Sequence, residues 1–133
     1  RNKESGMKTK VLIKKLKALA DPVRLKILYL LTVRPCCVCE LSEIFGLTQP
    51  ALTKHLQKLH DAGIISVEKF KNYQIYFLIT EDEKTEKLVK DILSIPDEIE
   101  EEIRVMMEKI RNSPPMYPST FLKDFNKKIL TLS

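Results

Sequence analysis

Arg34-Pro35-Cys36-Cys37-Val38-Cys39-Glu40-Leu41-Ser42-Glu43-Ile44-Phe45-Gly46-Leu47-Thr48-Gln49-Pro50-Ala51-Leu52-Thr53-Lys54-His55-Leu56-Gln57-Lys58 is the stretch that decides the fold. It opens on all three cysteines of the chain. Val38, Leu41 and Ile44 recur at helical spacing, so a short helix begins near Cys37 or Val38 and runs to Phe45. Gly46 supplies its left-handed stop. Thr48 caps a second helix, with Pro50 in the first turn, where a missing N–H costs nothing. Leu52, Leu56 and Leu59 form the inward stripe. At about 100° per residue, Lys54 and Gln57 then point outward and Thr53 lies on the flank. Asp61-Ala62-Gly63 closes this helix.

Upstream, Leu12, Leu16 and Leu19 predict an amphipathic helix from about Lys8 to Ala20 with those leucines inward. Asp21-Pro22 is an N-cap followed by proline at the first helical position. Val23, Ile27, Leu30 and Leu31, with Leu25 and Leu28, make the next helix apolar nearly all round, which marks the centre of a core. Pro35 ends it.

Downstream the period changes from helical to extended. Ile65 to Phe70 and Tyr73 to Ile79 read as two strands around a tight turn at Lys71-Asn72, with Asn72 taking the left-handed conformation. Thr80 is expected to cap a further helix with Glu81, Asp82 and Glu83 in its first turn and Leu88, Ile92 and Ile95 on its apolar face. After Pro96, the series Ile99, Ile103, Met106/Met107 and Ile110 predicts another. Phe121, Leu122, Phe125, Ile129 and Leu132 suggest a last amphipathic helix beyond a Pro-rich link.

The expected class is therefore mainly α with a β-hairpin (α+β), a winged helix-turn-helix with dimerisation helices. Residues 1–7 read as a disordered tail and 8–80 as the winged domain. Residues 81–112 read as a helical dimerisation and packing region, and 113–133 as a Pro-rich linker and terminal helix. Long amphipathic helices outside a small complete core call for a partner surface, and a second copy is the obvious one. Packing back onto the chain's own core is the alternative, for one of the two.

At 133 residues with 44% hydrophobic and 31% charged residues, one globular domain is expected. No apolar run approaches the ~18 residues of a membrane span, and no secretory signal opens the chain, so a soluble cytoplasmic protein is expected. Charge is uneven. Residues 1–80 hold fourteen Lys/Arg against six Asp/Glu, a net of +8, whereas residues 81–133 hold nine against twelve, a net of −3. A basic part followed by an acidic one fits a first part that meets a polyanion. No phosphate loop, catalytic triad or HExxH motif points to an enzyme.

The second helix of the opening stretch has the inventory for a DNA major groove. Gln49 suits adenine edges, Thr53 a phosphate or thymine methyl, and Lys54 and Gln57 bases or phosphates. Its N-terminus with Thr48 suits a phosphate, and Ala51 belongs to the same candidate surface. Lys69, Lys71 and Asn72 sit where a hairpin would meet the flanking backbone. His55 flanks the inward stripe and reads as a packed structural histidine.

Three cysteines within four positions cannot make a useful disulfide framework, because the loops are too short and one thiol is left over. Such clusters bind metal or react. Thiolates suit soft ions. On a regular helix Cys36 and Cys39 share a face while Cys37 diverges, so three sulfurs converge only if Cys36 and Cys37 precede the first helical turn. Buried inert cysteine is the bland reading.

At Asp21-Pro22-Val23-Arg24-Leu25-Lys26-Ile27-Leu28, Cys37-Val38-Cys39-Glu40-Leu41 and Leu47-Thr48-Gln49-Pro50-Ala51-Leu52-Thr53-Lys54-His55-Leu56 the chain resembles the ArsR/SmtB family of metalloregulatory repressors. The resemblance covers roughly Lys10 to Ile79. It implies a winged-helix homodimer that holds double-stranded operator DNA and lets go when a toxic metal or metalloid binds. The Cys-Val-Cys-Glu-Leu element resembles that of arsenic-sensing members, which implies As(III) or Sb(III) as inducer on Cys36, Cys37 and Cys39. The extra cysteine precedes the Cys-x-Cys pair here rather than following it. Zinc-sensing relatives carry His on the helix after the hairpin; here Glu81 to Asp91 has none. Two rivals remain: a thiol redox regulator on the same fold, and a metal-binding protein-interaction module without DNA.

Overall fold

The computed structural model describes residues 7–123 and 128–132. The expectations for Arg1 to Gly6 and for Phe125 lie outside them. The described elements are α1 (Thr9–Leu19), α2 (Pro22–Leu31), β1 (Cys36–Cys37), α3 (Val38–Phe45), α4 (Gln49–Asp61), β2 (Ser66–Phe70), β3 (Tyr73–Phe77), α5 (Glu83–Ser94) and α6 (Glu101–Asn112). A 3₁₀ turn follows at Ser119–Leu122.

The apolar helix α2 is the centre. Its Ile27, Leu28, Leu30 and Leu31 are wholly buried among residues of α3, α4, α5 and α6, each worth about 1.5–3 kcal/mol of burial. Asp21 caps it, its Oδ2 accepting from the Arg24 amide at 3.0 Å. Tyr29 donates its hydroxyl to Leu93 O at 2.7 Å, tying α2 to α5. The inward stripe of α4 is the expected one: Leu52, Leu56 and Leu59 are wholly buried. α3 stops at Gly46 in the left-handed region (φ 67°), and Gly63 takes φ 75° after α4.

β2 and β3 form the hairpin, with Phe70 opposite Tyr73, so Lys71 and Asn72 are the whole loop. The left-handed residue is Lys71 (φ 54°), not Asn72. A positive φ at the first loop position alone is the pattern of a type II′ turn, one of the two that follow strand twist. The sheet has a third strand that the sequence pattern does not show. β1 pairs antiparallel with β3, Cys36 opposite Tyr76 and Cys37 opposite Ile75, giving the sheet order β1-β3-β2. Two residues are too few to show a strand period.

Four further expectations are corrected. In α1 the residues turned to the body are Lys15, Ala18 and Leu19, while Leu12 and Leu16 stay exposed. Lys15 is only 1% exposed because Nζ donates to Ala62 O at 2.6 Å and to Glu81 Oε2 at 2.5 Å. Asp82 rather than Thr80 caps α5, its Oδ1 accepting from the Thr85 amide at 2.8 Å. The deepest face of α5 is Thr85, Val89 and Leu93, and Ile95 is 74% exposed. Finally, the chain after α6 makes an extended strap and a 3₁₀ turn through Leu122 in place of the start of an α-helix. α6 itself packs on the chain's own core through Ile103, Met106 and Ile110.

Candidate nucleic-acid interface and thiol site

α3, the Gly46 turn and α4 present one continuous outer face. Thr48, Gln49, Thr53, Lys54 and Gln57 are exposed and Ala51 is half-buried. Thr48 Oγ1 accepts from the Ala51 amide at 3.3 Å, so its hydroxyl caps the helix. Gln57 Nε2 donates to Asp61 Oδ1 at 2.8 Å, which holds that amide along the helix. Gln49, Thr53 and Lys54 are thus the side chains presented without an internal task shown. His55 has the structural role expected of it: Nδ1 accepts from Arg24 Nη1 at 3.1 Å, and Arg24 Nε donates to Ala18 O at 2.6 Å. At the other end, Lys69, Lys71 and Asn72 are exposed on the hairpin, with Lys71 Nζ 5.5 Å from the centre of the Phe70 ring.

The three cysteines do not converge. Neighbouring residues of a strand point to opposite faces, and β1 sends Cys36 into the main core and Cys37 into a second apolar cluster with Ile75, Tyr117 and Leu122. Cys36 is wholly buried, its thiol donating to Arg34 O at 3.4 Å. Burial pushes that thiol up to about 12, against the pull of Arg34. Cys37 and Cys39 are joined as a disulfide across Val38, with Cα atoms 5.2 Å apart. This is a bond between neighbours, not a framework. Among the described residues no three His, Cys, Asp or Glu side chains are grouped to hold a metal ion.

Local chemistry explains the placement of the pair. Cys37 is the N-cap of α3, its Sγ accepting from the Cys39 amide at 3.1 Å, while its own amide donates to Glu40 Oε1 at 2.8 Å. That is a capping box with cysteine in the serine position. Arg34 grips Glu40 with both Nη1 (3.3 Å) and Nη2 (2.8 Å), and reaches Ile110 O and Ser113 O at the end of α6. One guanidinium therefore joins the thiol turn to the strap.

Sequence reasoning missed the residues that cover the pair. Tyr117, 5% exposed, donates its hydroxyl to Pro35 O at 2.7 Å, and burial pushes that phenol up to about 12. Phe121 meets Phe70 of the hairpin edge-on at 5.4 Å. Met116 Sδ lies 3.5 Å from Cys39 Sγ. Glu40 could have been found, since it stands three residues after Cys37 as a capping box requires. Nothing in the local sequence signals Met116.

This fold, three helices around an apolar one with a hairpin beside the second helix of a helix-turn-helix, is the winged helix-turn-helix of transcription regulators. Residues 21–67 match the arsR family of bacterial regulatory proteins. The "Arsenical resistance operon repressor" of Bacillus subtilis is 46% identical over 69 residues, 51% of this chain and 66% of that one. An "Uncharacterized HTH-type transcriptional regulator" of Methanocaldococcus jannaschii, MJ1325, is 34% identical over 84 residues, 62% of this chain and 88% of its own. Among solved structures, HlyU from Vibrio cholerae shares 26% identity at a TM-score of 0.59, covering 69% of this chain and 100% of that one. The homodimeric winged helix-turn-helix DNA-binding domain of Mb0332 from Mycobacterium bovis superposes with a TM-score of 0.59 at 22% identity, over 70% of this chain and 90% of that one. The chain belongs to the arsR family. It spans 66% and 61% of the length of the two arsenical resistance repressors, from Bacillus subtilis and Staphylococcus xylosus, that it matches at 46% and 41% identity.

Proposed function

We propose that the protein is a homodimeric repressor that holds double-stranded operator DNA and releases it when As(III) or Sb(III) binds the thiols of Cys37 and Cys39. The observation that carries this reading is the position of the pair. It caps the first helix of the helix-turn-helix, so whatever binds there acts on the turn that orients α4. Gln49, Thr53 and Lys54 face bases and phosphates, with Thr48, Ala51 and Gln57 around them and Lys69, Lys71 and Asn72 on the flanking backbone. A soft trivalent ion takes thiolates readily. Two sulfurs are at hand, and Cys36 reaches the same ion only if β1 turns over. A ligand on Cys37 costs α3 its cap, worth about 0.5–2 kcal/mol, which lies in the range of ordinary allosteric couplings of about 1–3 kcal/mol.

Fluorescence anisotropy on operator DNA, with the protein reduced and with or without As(III), tests the reading. Release by As(III) in the parent, and none in a Cys37→Ser, Cys39→Ser variant that still binds DNA, is the expected result. Release of that double variant by As(III) refutes the site. One observation favours a second reading: the pair also forms a disulfide, so oxidation could be the signal. Release by mild peroxide but not by As(III) selects it.

A further inference from the structure

The thiol pair has a cover, and the cover carries a third sulfur. α6 ends at Asn112, and Pro114 and Pro115 keep the following chain extended. The strap is then fixed at three points. Ser113 O accepts from Arg34, the Tyr117 hydroxyl donates to Pro35 O, and Phe121 packs on Phe70. Between the first two, Met116 is held half-buried in the same apolar cluster as Cys37 and Cys39, with Sδ 3.5 Å from Cys39 Sγ. Cys37 and Cys39 are themselves in bonding contact. All three sulfurs of this cluster thus lie together, contributed by a helix cap and by a segment 77 residues further on.

We propose that Cys37, Cys39 and Met116 form a three-sulfur site for a soft monovalent cation, Cu(I). The inference rests on the reading that this pair is the ligand-binding one and adds a donor and an ion class to it. Two thiolates with a thioether form the donor set that selects Cu(I). A neutral thioether offers little to trivalent arsenic, which takes thiolates and oxygens. The disulfide must first be reduced: a phosphine gives two electrons and takes the oxygen of one water as its oxide, and that water supplies the two protons that leave Cys37 and Cys39 as thiols. Binding then exchanges two thiol protons for one Cu(I), leaving a site of net charge −1 with no change in metal oxidation state. Because Met116 is next to Tyr117 and five residues before the strap's anchor at Phe121, the bound ion fastens the strap over α3 and against the hairpin.

The test is competitive titration of phosphine-reduced, full-length protein with Cu(I) and, separately, with As(III). Met116→Leu keeps volume and apolar character, so the fold is retained. The expected result is Cu(I) affinity lower on the order of 10-fold or more in Met116→Leu, with As(III) affinity about unchanged. X-ray absorption at copper should count three sulfurs in the parent and two in the variant. In selenomethionine protein, a copper neighbour seen from selenium should vanish in Met116→Leu. Equal Cu(I) affinity in parent and variant, or two sulfurs in the parent, overturns the proposal while leaving the pair as sensor. A parent that binds neither ion, or a Cys37→Ser, Cys39→Ser variant that binds both, overturns the underlying reading as well.

Discussion

At the residue scale, the cysteines show how one strand bond separates like from like. Cys36 and Cys37 are neighbours in sequence and belong to different apolar clusters. A soft-ion site built on all three would have to pull Cys36 out of the core. The physical consequence is that Cys36 behaves as a small buried hydrophobe. Its thiol, ordinarily near 9.0, is raised to about 12 by burial. The unfolded chain therefore loses this proton first, so the contribution to stability is whole below about 9 and declines as pH rises from about 9 to about 12. Chemical denaturation across that window should show stability falling with pH, and a Cys36→Ala variant should show a flatter profile. Iodoacetamide at neutral pH should label the half-buried Cys39 in the reduced native protein well before Cys36. Fast labelling of Cys36 would contradict its burial. Cys36→Ala should also leave release by As(III) intact.

At the scale of elements, what the sequence disclosed was what local chemistry decides. The Gly46 stop, the Thr48 cap, the apolar α2 and the change of period at Ile64 all lie in short windows, and each element stands where these signals put it. Orientation was harder. The leucines of α1 suggested an inward face through Leu12 and Leu16, yet the helix is fastened by Lys15, whose long stem crosses the interface to reach Ala62 O and Glu81. A buried lysine gives no periodic signal. As a result Val11, Leu12, Ile13 and Leu16, each 36–44% exposed, line an apolar stripe that the single chain leaves in water. β1 and the strap were illegible for the same reason: each exists because of partners far along the chain, Tyr76 and Ile75 for one, Pro35 and Phe70 for the other. The stripe on α1 makes a prediction about assembly. A Leu12→Glu, Leu16→Glu variant should keep its circular dichroism, since both sites are exposed, and sediment as a monomer. A stable dimer from that variant would place the interface elsewhere, with the exposed Ile95 and Val105 as the next surface to test.

At the scale of the molecule, charge and shape suit two kinds of DNA contact under the proposed repressor reading. Residues 1–80 carry a net of +8 and residues 81–133 a net of −3, so a polyanion is drawn to the first part and turned away from the second. Within the first part, α4 and the hairpin differ in what they can read. Gln49 and Thr53 are exposed on a helix whose caps and core leucines hold it without them. Replacing either by alanine should leave the fold intact and cost specific binding on the order of 1–3 kcal/mol, while non-specific binding barely changes. Lys71 is different: it holds φ 54° at the tip of the hairpin and offers only charge. Lys71→Asn removes the charge and suits the left-handed backbone. It should weaken specific and random DNA alike and lower the slope of log affinity against log salt by about 1. Anisotropy with operator and scrambled duplexes over a salt series separates the two classes in one experiment. If the Gln49 and Thr53 variants bind operator as the parent does, α4 is not the reading helix. If Lys71→Asn changes sequence preference rather than salt slope, the hairpin reads bases and not the backbone.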